Sequence, residues 1–167
     1  LTIRLVSWNV HKCTGGVDRR YDPMRTVDVL AAANADVVLL QEVAQNGRWY
    51  HHDRQVDLLG DALSMPHRSY FVNVRFGPRR GEYGNAILSR FPIVSSENVD
   101  VSAHRFEQRG LLHVEVSMPG WDETLHCVCV HFGLFSKGRR LQLSALRDRI
   151  EGLVPPHAPL IIAGDFN

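Results

Sequence analysis

Long apolar runs are missing from this chain: the longest, such as Val37 to Leu40 and Leu160 to Ala163, fall far below the roughly 20 residues that cross a bilayer as a helix. No transmembrane helix is therefore expected. An excess of either charge is missing too. With 19 Lys and Arg against 18 Asp and Glu, the net charge is +1, so no overall field draws the protein onto nucleic acid or an acidic membrane. Polyanion binding would have to come from local clusters. Arg19-Arg20, Arg79-Arg80 and the stretch Lys137, Arg139, Arg140 are the candidates, although paired basic residues are commonly just solvated surface. Cysteine is scarce and odd in number, at three. Cys127 and Cys129 lie two apart in a strand-like run and would share a face rather than bridge each other. A reducing compartment follows, with the cytoplasm as the expected location. The chain opens at Leu1 inside a strand pattern, which leaves room for a trimmed upstream segment, a signal peptide included.

What is present suits one globular domain: 167 residues with 44% hydrophobic content, enough for a core of its own. Thr2 to Asn9 alternates as a strand does. Asp22-Pro23 reads as an N-cap followed by proline at the first helical position, opening a helix with the stripe Met24, Val27, Leu30 and Ala31. Val37 to Leu40 is a strand buried on both faces that runs into Gln41-Glu42. The polar segment Ala44 to Arg54 is expected to be a mobile loop, and Val56, Leu59 and Leu63 mark a second short helix. Strands follow around Ser69 to Arg75, Asn85 to Arg90, Ile93 to Val101, Gly110 to Val116 and Leu125 to Phe132, with no long helix between them, as in an antiparallel section. Leu143, Leu146, Ile150 and Leu153 signal a third helix with Ser136 as cap and Pro155-Pro156 after its end. Leu160 to Ala163 is a last buried strand, before Gly164-Asp165-Phe166-Asn167. There is no internal repeat and no low-complexity tract. Strands outnumber helices and the connectivity is mixed, so the class is an α/β layered sandwich rather than a doubly wound parallel sheet.

One feature recurs along the chain. Apolar strands end on residues suited to metal or phosphate chemistry, at Asn9, Glu42, His131 and the pair Asp165 and Asn167. Such ends line the edge where sites form. A carboxylate at the end of a buried strand needs a partner, since an unpaired charge there costs several kcal/mol or takes up a proton. The hard oxygens of Glu42 and Asp165 and the amide oxygens of Asn9 or Asn167 suit Mg²⁺ or Mn²⁺. Zinc does not suit this chain: Cys127 and Cys129 have no second pair at finger spacing, and no His-Glu-x-x-His occurs.

Taken in order, six strings resemble successive motifs of the endonuclease/exonuclease/phosphatase family. They are Trp8-Asn9-Val10-His11, Gln41-Glu42-Val43, Tyr83-Gly84-Asn85-Ala86-Ile87-Leu88-Ser89-Arg90, Gln108-Arg109-Gly110, His131-Phe132-Gly133-Leu134 and Gly164-Asp165-Phe166-Asn167. The likeness spans the chain and is nearest to bacterial members of unsettled substrate. It implies a deoxyribonuclease I-like four-layer α/β/β/α sandwich of two mixed sheets, in a single domain over 1–167 cut off after Gly-Asp-Phe-Asn. It also implies Mg²⁺-dependent hydrolysis of a phosphoester by in-line attack of water, with nucleic acid, a phospholipid headgroup or a small phosphodiester as substrate.

By motif match, Glu42 resembles the principal metal ligand, with Asn9 beside it on the metal or the phosphate. Asp165 resembles the residue that orients or deprotonates the water, Asn167 the one that holds a phosphate oxygen, and His131 a phosphate ligand that assists the leaving group. Arg109 is expected to neutralise the phosphate, or else to form a strand-end ion pair. Asn85 is expected to shape the site floor, or else to satisfy buried backbone. Members of the family continue to a further Asp and a Ser-Asp-His string. All nine histidines here precede Asn167, so the protein is expected to continue and this stretch alone to be inactive, with a strand edge and a sheet face left open. The alternative is a binding module that holds a phosphorylated ligand or a protein partner without hydrolysing it. The loop after Asn9 reads His11-Lys12-Cys13, not the Asn-Gly of the family's repair exonucleases, and this leans toward a general phosphodiesterase. Trp49, Tyr50 and Phe135 are candidates for contact with a lipid or a base, or plain packing residues.

Overall fold

The computed structural model describes residues 2–103 and 105–167. Among them the chain builds β1 (Leu5–Asn9), α1 (Pro23–Ala33), β2 (Val37–Gln45), α2 (Gln55–Ala62), β3 (His67–Arg75), β4 (Glu82–Ser89), β5 (Ile93–Asp100), β6 (Gly110–Val116), β7 (Leu125–His131), α3 (Ser136–Leu153) and β8 (Leu160–Asp165). Two four-stranded sheets form, in the orders β1-β2-β4-β3 and β5-β6-β7-β8. Each has one parallel pair, β1 with β2 and β7 with β8. The other pairs are antiparallel. The parallel pairs are those whose strands are joined across a helix, because a parallel connection needs a crossover whereas an antiparallel one can close with a tight turn.

Alternation along the strands sets the layers. Val37, Leu39 and Ile87 of the first sheet face Leu112, Val114, Cys127 and Cys129 of the second. Val38, Leu40 and Leu88 face the other way, onto Val27 and Leu30 of α1 and Val56 and Leu59 of α2. Leu111, Val128 and Val130 meet Leu146 of α3. The result is the four-layer α/β/β/α sandwich, with the predicted antiparallel middle section in place. The cysteines are all free, and Cys127 and Cys129 share the inter-sheet face.

Several local expectations are corrected. Met24 and Ala31 face solvent, since the buried face of α1 is Thr26, Val27 and Leu30. Asp22 does cap α1, accepting from the Met24 N–H. The cap position of α3 is Phe135 and not Ser136. Leu143 and Leu153 are exposed, because α3 turns Gln142 inward, where its carbonyl accepts from the Gly133 N–H at 2.8 Å. β8 is only half-buried, because it is the outer strand of its sheet among the described residues. Finally, β2 runs on to Gln45, so Glu42 lies within a strand and not at its end.

Candidate active site

The two parallel pairs deliver the polar residues to one place. Asn9 closes β1, His131 closes β7 opposite Asp165 of β8, and Glu42 sits where the register of β2 against β4 shifts between Leu40 and Val43. The shift is a bulge that takes Glu42 out of the ladder and puts it at φ 56°, a left-handed conformation that a non-glycine residue adopts only where its surroundings impose it. A bulge re-aims a side chain. Here it turns the Glu42 carboxylate toward the mouth between the sheets, while Gln41 stays buried against the Cys129 sulfur at 3.2 Å.

The Asn9 amide joins the acids. Its Nδ2 donates to Glu42 Oε1 at 3.1 Å and to Asp165 Oδ2 at 3.0 Å. Its Oδ1 accepts from the His11 N–H at 3.0 Å, so the amide oxygen is taken up and the nitrogen faces the carboxylates. Asp165 also accepts from the Asn167 N–H at 3.0 Å, and Asn167 Nδ2 donates to the Phe132 carbonyl at 2.6 Å.

Lys12 carries the electrostatics of Glu42. Its ammonium donates to Glu42 Oε2 and lies 4.3 Å from the centre of the Tyr83 ring, within cation–π range. Burial alone would raise the Glu42 carboxyl, but the hydrogen bond and charge of Lys12 outweigh it, so the group is held below its ordinary range. Asp165 is likewise lowered: burial opposes ionisation, but the Asn9 and Asn167 hydrogen bonds overcome it. For His131 burial, and then the charge of Arg109, push the imidazole below its ordinary value. His131 Nε2 stands 3.8 Å from Asp165 Oδ2, beyond hydrogen-bond length. The two side chains face each other without a direct hydrogen bond.

Lys12 is not among the candidate site residues that the motifs mark. It sits in a turn of three consecutive left-handed residues, His11, Lys12 and Cys13, and the Lys12 carbonyl is fixed by Gln55 Nε2 at 2.9 Å. The signal for Lys12 in the sequence is only the need of a buried carboxylate for a partner, which does not say which Lys or Arg supplies it. Arg109 is committed within the protein. Its Nε donates to the Phe132 carbonyl at 3.1 Å, another nitrogen to the Gln108 carbonyl at 3.0 Å, and a third lies 3.8 Å from Glu107. Asn85 Nδ2 donates to the Gly110 carbonyl at 3.0 Å and reaches the Cys129 carbonyl at 3.4 Å, tying the two sheets together. Both residues line the narrow recess beside Glu42 and His131 with their donors turned onto backbone.

Among the described residues no three His, Cys, Asp or Glu side chains gather closely enough to cage an ion. What the site offers is two carboxylates held by one amide, hard oxygen donors of the kind Mg²⁺ takes one or two of while keeping its remaining waters. The donor set therefore fits a divalent ion.

Known proteins share this arrangement of strands and sequence. The chain is 33% identical to the uncharacterized protein YbhP of Escherichia coli, over 99% of its own length and 67% of that protein. Among solved structures, an endonuclease/exonuclease/phosphatase from Beutenbergia cavernae superposes with a TM-score of 0.79 at 23% identity, covering 99% of this chain. Zebrafish (D. rerio) TDP2 complexed with a single-strand DNA product superposes with 0.71 at 24% identity over 98%. A mannosyl-6-phosphatase of Bacteroides thetaiotaomicron gives 0.71 at 19% identity over 99%. This chain spans 47%, 60% and 66% of those three. At such identities the likeness is one of fold, and it bears out the deoxyribonuclease I-like sandwich. The family description itself matches residues 6–167, and the chain belongs to the Endonuclease/Exonuclease/phosphatase family.

Proposed function

We propose that this chain carries the cation-holding and water-orienting part of the active site of a phosphoester hydrolase of phosphodiesterase or nuclease type. The observation that supports it most is the Asn9 amide, whose one nitrogen holds Glu42 and Asp165, residues from opposite ends of the chain, side by side. The neighbours of matching fold include a phosphatase and a protein holding a DNA product, which agrees with phosphoester chemistry.

In this reading Glu42, kept ionised within the bulge, would hold a Mg²⁺ or Mn²⁺ ion together with Asp165. The ion, when bound, draws charge from the phosphoryl oxygens and lowers the pKa of bound water. Asp165, ionised and more open to solvent, accepts the proton of the attacking water and fixes its direction. Asn9 holds the separation of the two acids. His131 donates a ring N–H toward a phosphoryl oxygen, and Asn167 turns its amide from the Phe132 carbonyl to a second one. Such donors stabilise charge that grows in the transition state, and no covalent intermediate is needed. The test is release of nitrophenolate from bis(p-nitrophenyl) phosphate by the complete protein with and without Mg²⁺; no metal-dependent release would sink this reading.

One observation favours the second reading, a binding module for a phosphorylated ligand. Lys12 neutralises Glu42 from within the chain, which is how a site that holds no metal would satisfy that carboxylate. Binding of methyl phosphate without hydrolysis of any diester would support it.

A further inference from the structure

Beside Glu42 the surface opens into a cleft of about 660 Å³, a size that suits a small ligand or one unit of a larger one. It shares Lys12 and Tyr83 with the acidic site, and its far wall is Tyr21, Trp49, Phe76 and Arg80. The lips are fastened. Trp49 N–H donates to the Arg79 carbonyl at 3.0 Å and Arg48 N–H to the Pro78 carbonyl at 3.1 Å, so the segment after β2 is bonded to the β3–β4 turn. The backbones approach so closely that a Cβ on Gly47 would lie 2.8 Å from the Arg80 carbonyl. The expected mobile loop is thus tied at its centre.

The lining chemistry narrows the ligand. Among the described residues no aliphatic side chain lines the cleft, and its apolar surface is that of aromatic rings. No carboxylate or carboxamide lines it either, so its neutral polar groups are the hydroxyls of Thr14 and the tyrosines and the His11 ring. Ring faces and positive charge dominate the lining, with Lys12, Arg19 and Arg80 beside Trp49, Phe76 and the tyrosines. The Arg80 guanidinium carbon stands 5.2 Å from the Trp49 ring centre and 5.5 Å from that of Phe76, and both rings are about half exposed. Wide aromatic faces beside basic groups are the means by which proteins hold a planar ring attached to a phosphate.

We infer that this cleft seats a planar aromatic ring, a nucleobase or an aryl group, borne by the same phosphoester whose phosphate lies at Glu42 and Asp165. The inference rests on the phosphoesterase reading for the position of the phosphate, and it adds the group that the enzyme selects. Trp49 and Phe76 give the stacking faces, Arg80 caps them, and the unlined mouth leaves room for the rest of a strand or for solvent.

The test is isothermal titration of the complete protein in Mg²⁺ with thymidine 5′-monophosphate, phenyl phosphate and butyl phosphate. The ring-bearing probes are expected to bind about tenfold more tightly than butyl phosphate, the size of one stacking contact. Trp49→Ala and Arg80→Ala should erase that preference. Trp49→Leu, which keeps apolar bulk without a ring face, should erase it too, and circular dichroism should show each variant folded. A tighter fit for the thymidine probe than for phenyl phosphate assigns the nucleotide source; equal binding assigns any aryl group. Butyl phosphate bound as tightly as the ring-bearing probes, or a preference that survives Trp49→Leu and Arg80→Ala, would overturn the inference. Hydrolysis of bis(p-nitrophenyl) phosphate is scored apart. Ring-selective binding without turnover defeats the hydrolase and leaves the cleft, whereas turnover without ring selectivity defeats the cleft alone.

Discussion

The molecule holds two crossover units of the same plan, β1-α1-β2 in one sheet and β7-α3-β8 in the other, and they treat their acids differently. In the first, the Glu42 side chain is 15% exposed and faces an ammonium. In the second, the Asp165 side chain is 31% exposed and accepts only from neutral N–H groups, those of Asn9 and Asn167. A buried carboxylate on a full positive charge is placed to keep a cation, because breaking such a pair strands a charge in a poorly solvated position. A more open carboxylate held by dipoles can exchange a proton with water without losing an ion pair. The proposed division of labour between the two acids rests on this difference in burial and partner, with the Asn9 amide bonded to both.

The comparison breaks most visibly if the acids are neutralised one at a time. Glu42→Gln in the complete protein should cut metal-dependent kcat/KM on the order of 10³-fold, the scale on which loss of a charge-stabilising group is felt, while the far-ultraviolet circular dichroism stays unchanged. Hydrolysis of bis(p-nitrophenyl) phosphate in Mg²⁺ measures it, and near-wild-type turnover would put the cation elsewhere. Asp165→Asn should lower kcat on the order of 10²-fold, as expected for loss of a proton acceptor, with KM little altered. A rise in KM alone would contradict a role in handling water.

Much of this was legible in the residues. Strand alternation in Val37 to Leu40 and in Cys127 and Cys129 set the inter-sheet face, and the Asp22-Pro23 start of α1 needed only local chemistry. The strings around Asn9, Glu42, His131 and Asp165 marked residues that the fold does bring together. What stayed hidden depends on longer contacts. The bulge at Glu42 arises from the register of β2 on β4, which no property of Gln41-Glu42 alone reports. The Lys12 ammonium reaches Glu42 through three left-handed residues, none of them glycine, so turn chemistry does not announce the conformation. The leucines of α3 misled because Gln142, a polar residue, turned inward to satisfy the Gly133 N–H. Asn9 could be placed but not oriented, since its amide direction follows from the His11 N–H.

Lys12 sharpens the contrast between the two acids. Lys12→Met should destabilise the protein by roughly 3 kcal/mol in EDTA, the low end of what breaking a buried ion pair costs, and Mg²⁺ should restore much of it because a second cation can then take the Lys12 position on Glu42. Thermal unfolding in EDTA and in Mg²⁺ reads both effects. Wild-type protein should gain less in Tm from Mg²⁺ than the variant, since its Glu42 is already compensated. Equal gains would mean that Lys12 and the metal do not compete.

The smallest effect separates the outer layers. Under α1 and α2 one buried polar group is Gln55, whose side chain accepts from the Ala44 N–H and donates to the Lys12 carbonyl; an amide does not titrate. Under α3 it is His113, whose Nδ1 accepts from Arg149 Nε at 3.3 Å and whose Nε2 lies 2.9 Å from His126 Nδ1. Arg149 can only donate, so His113 is protonated on Nε2 and donates to His126. A second proton would set an N–H against the Arg149 N–H. Burial first, then Arg149 and His126, push its pKa down to about 4, against the weaker pull of Glu115 and Glu97. A folded value below the unfolded one means that the unfolded chain binds the extra proton between them, so stability falls as pH drops through the window from the ordinary value of 6.5 to about 4. The loss should be on the order of 2 kcal/mol. Urea unfolding at pH 7 and pH 4.5 measures it, and His113→Gln, an amide like Gln55, should flatten the dependence. An unchanged slope would place the acid sensitivity outside the α3 layer.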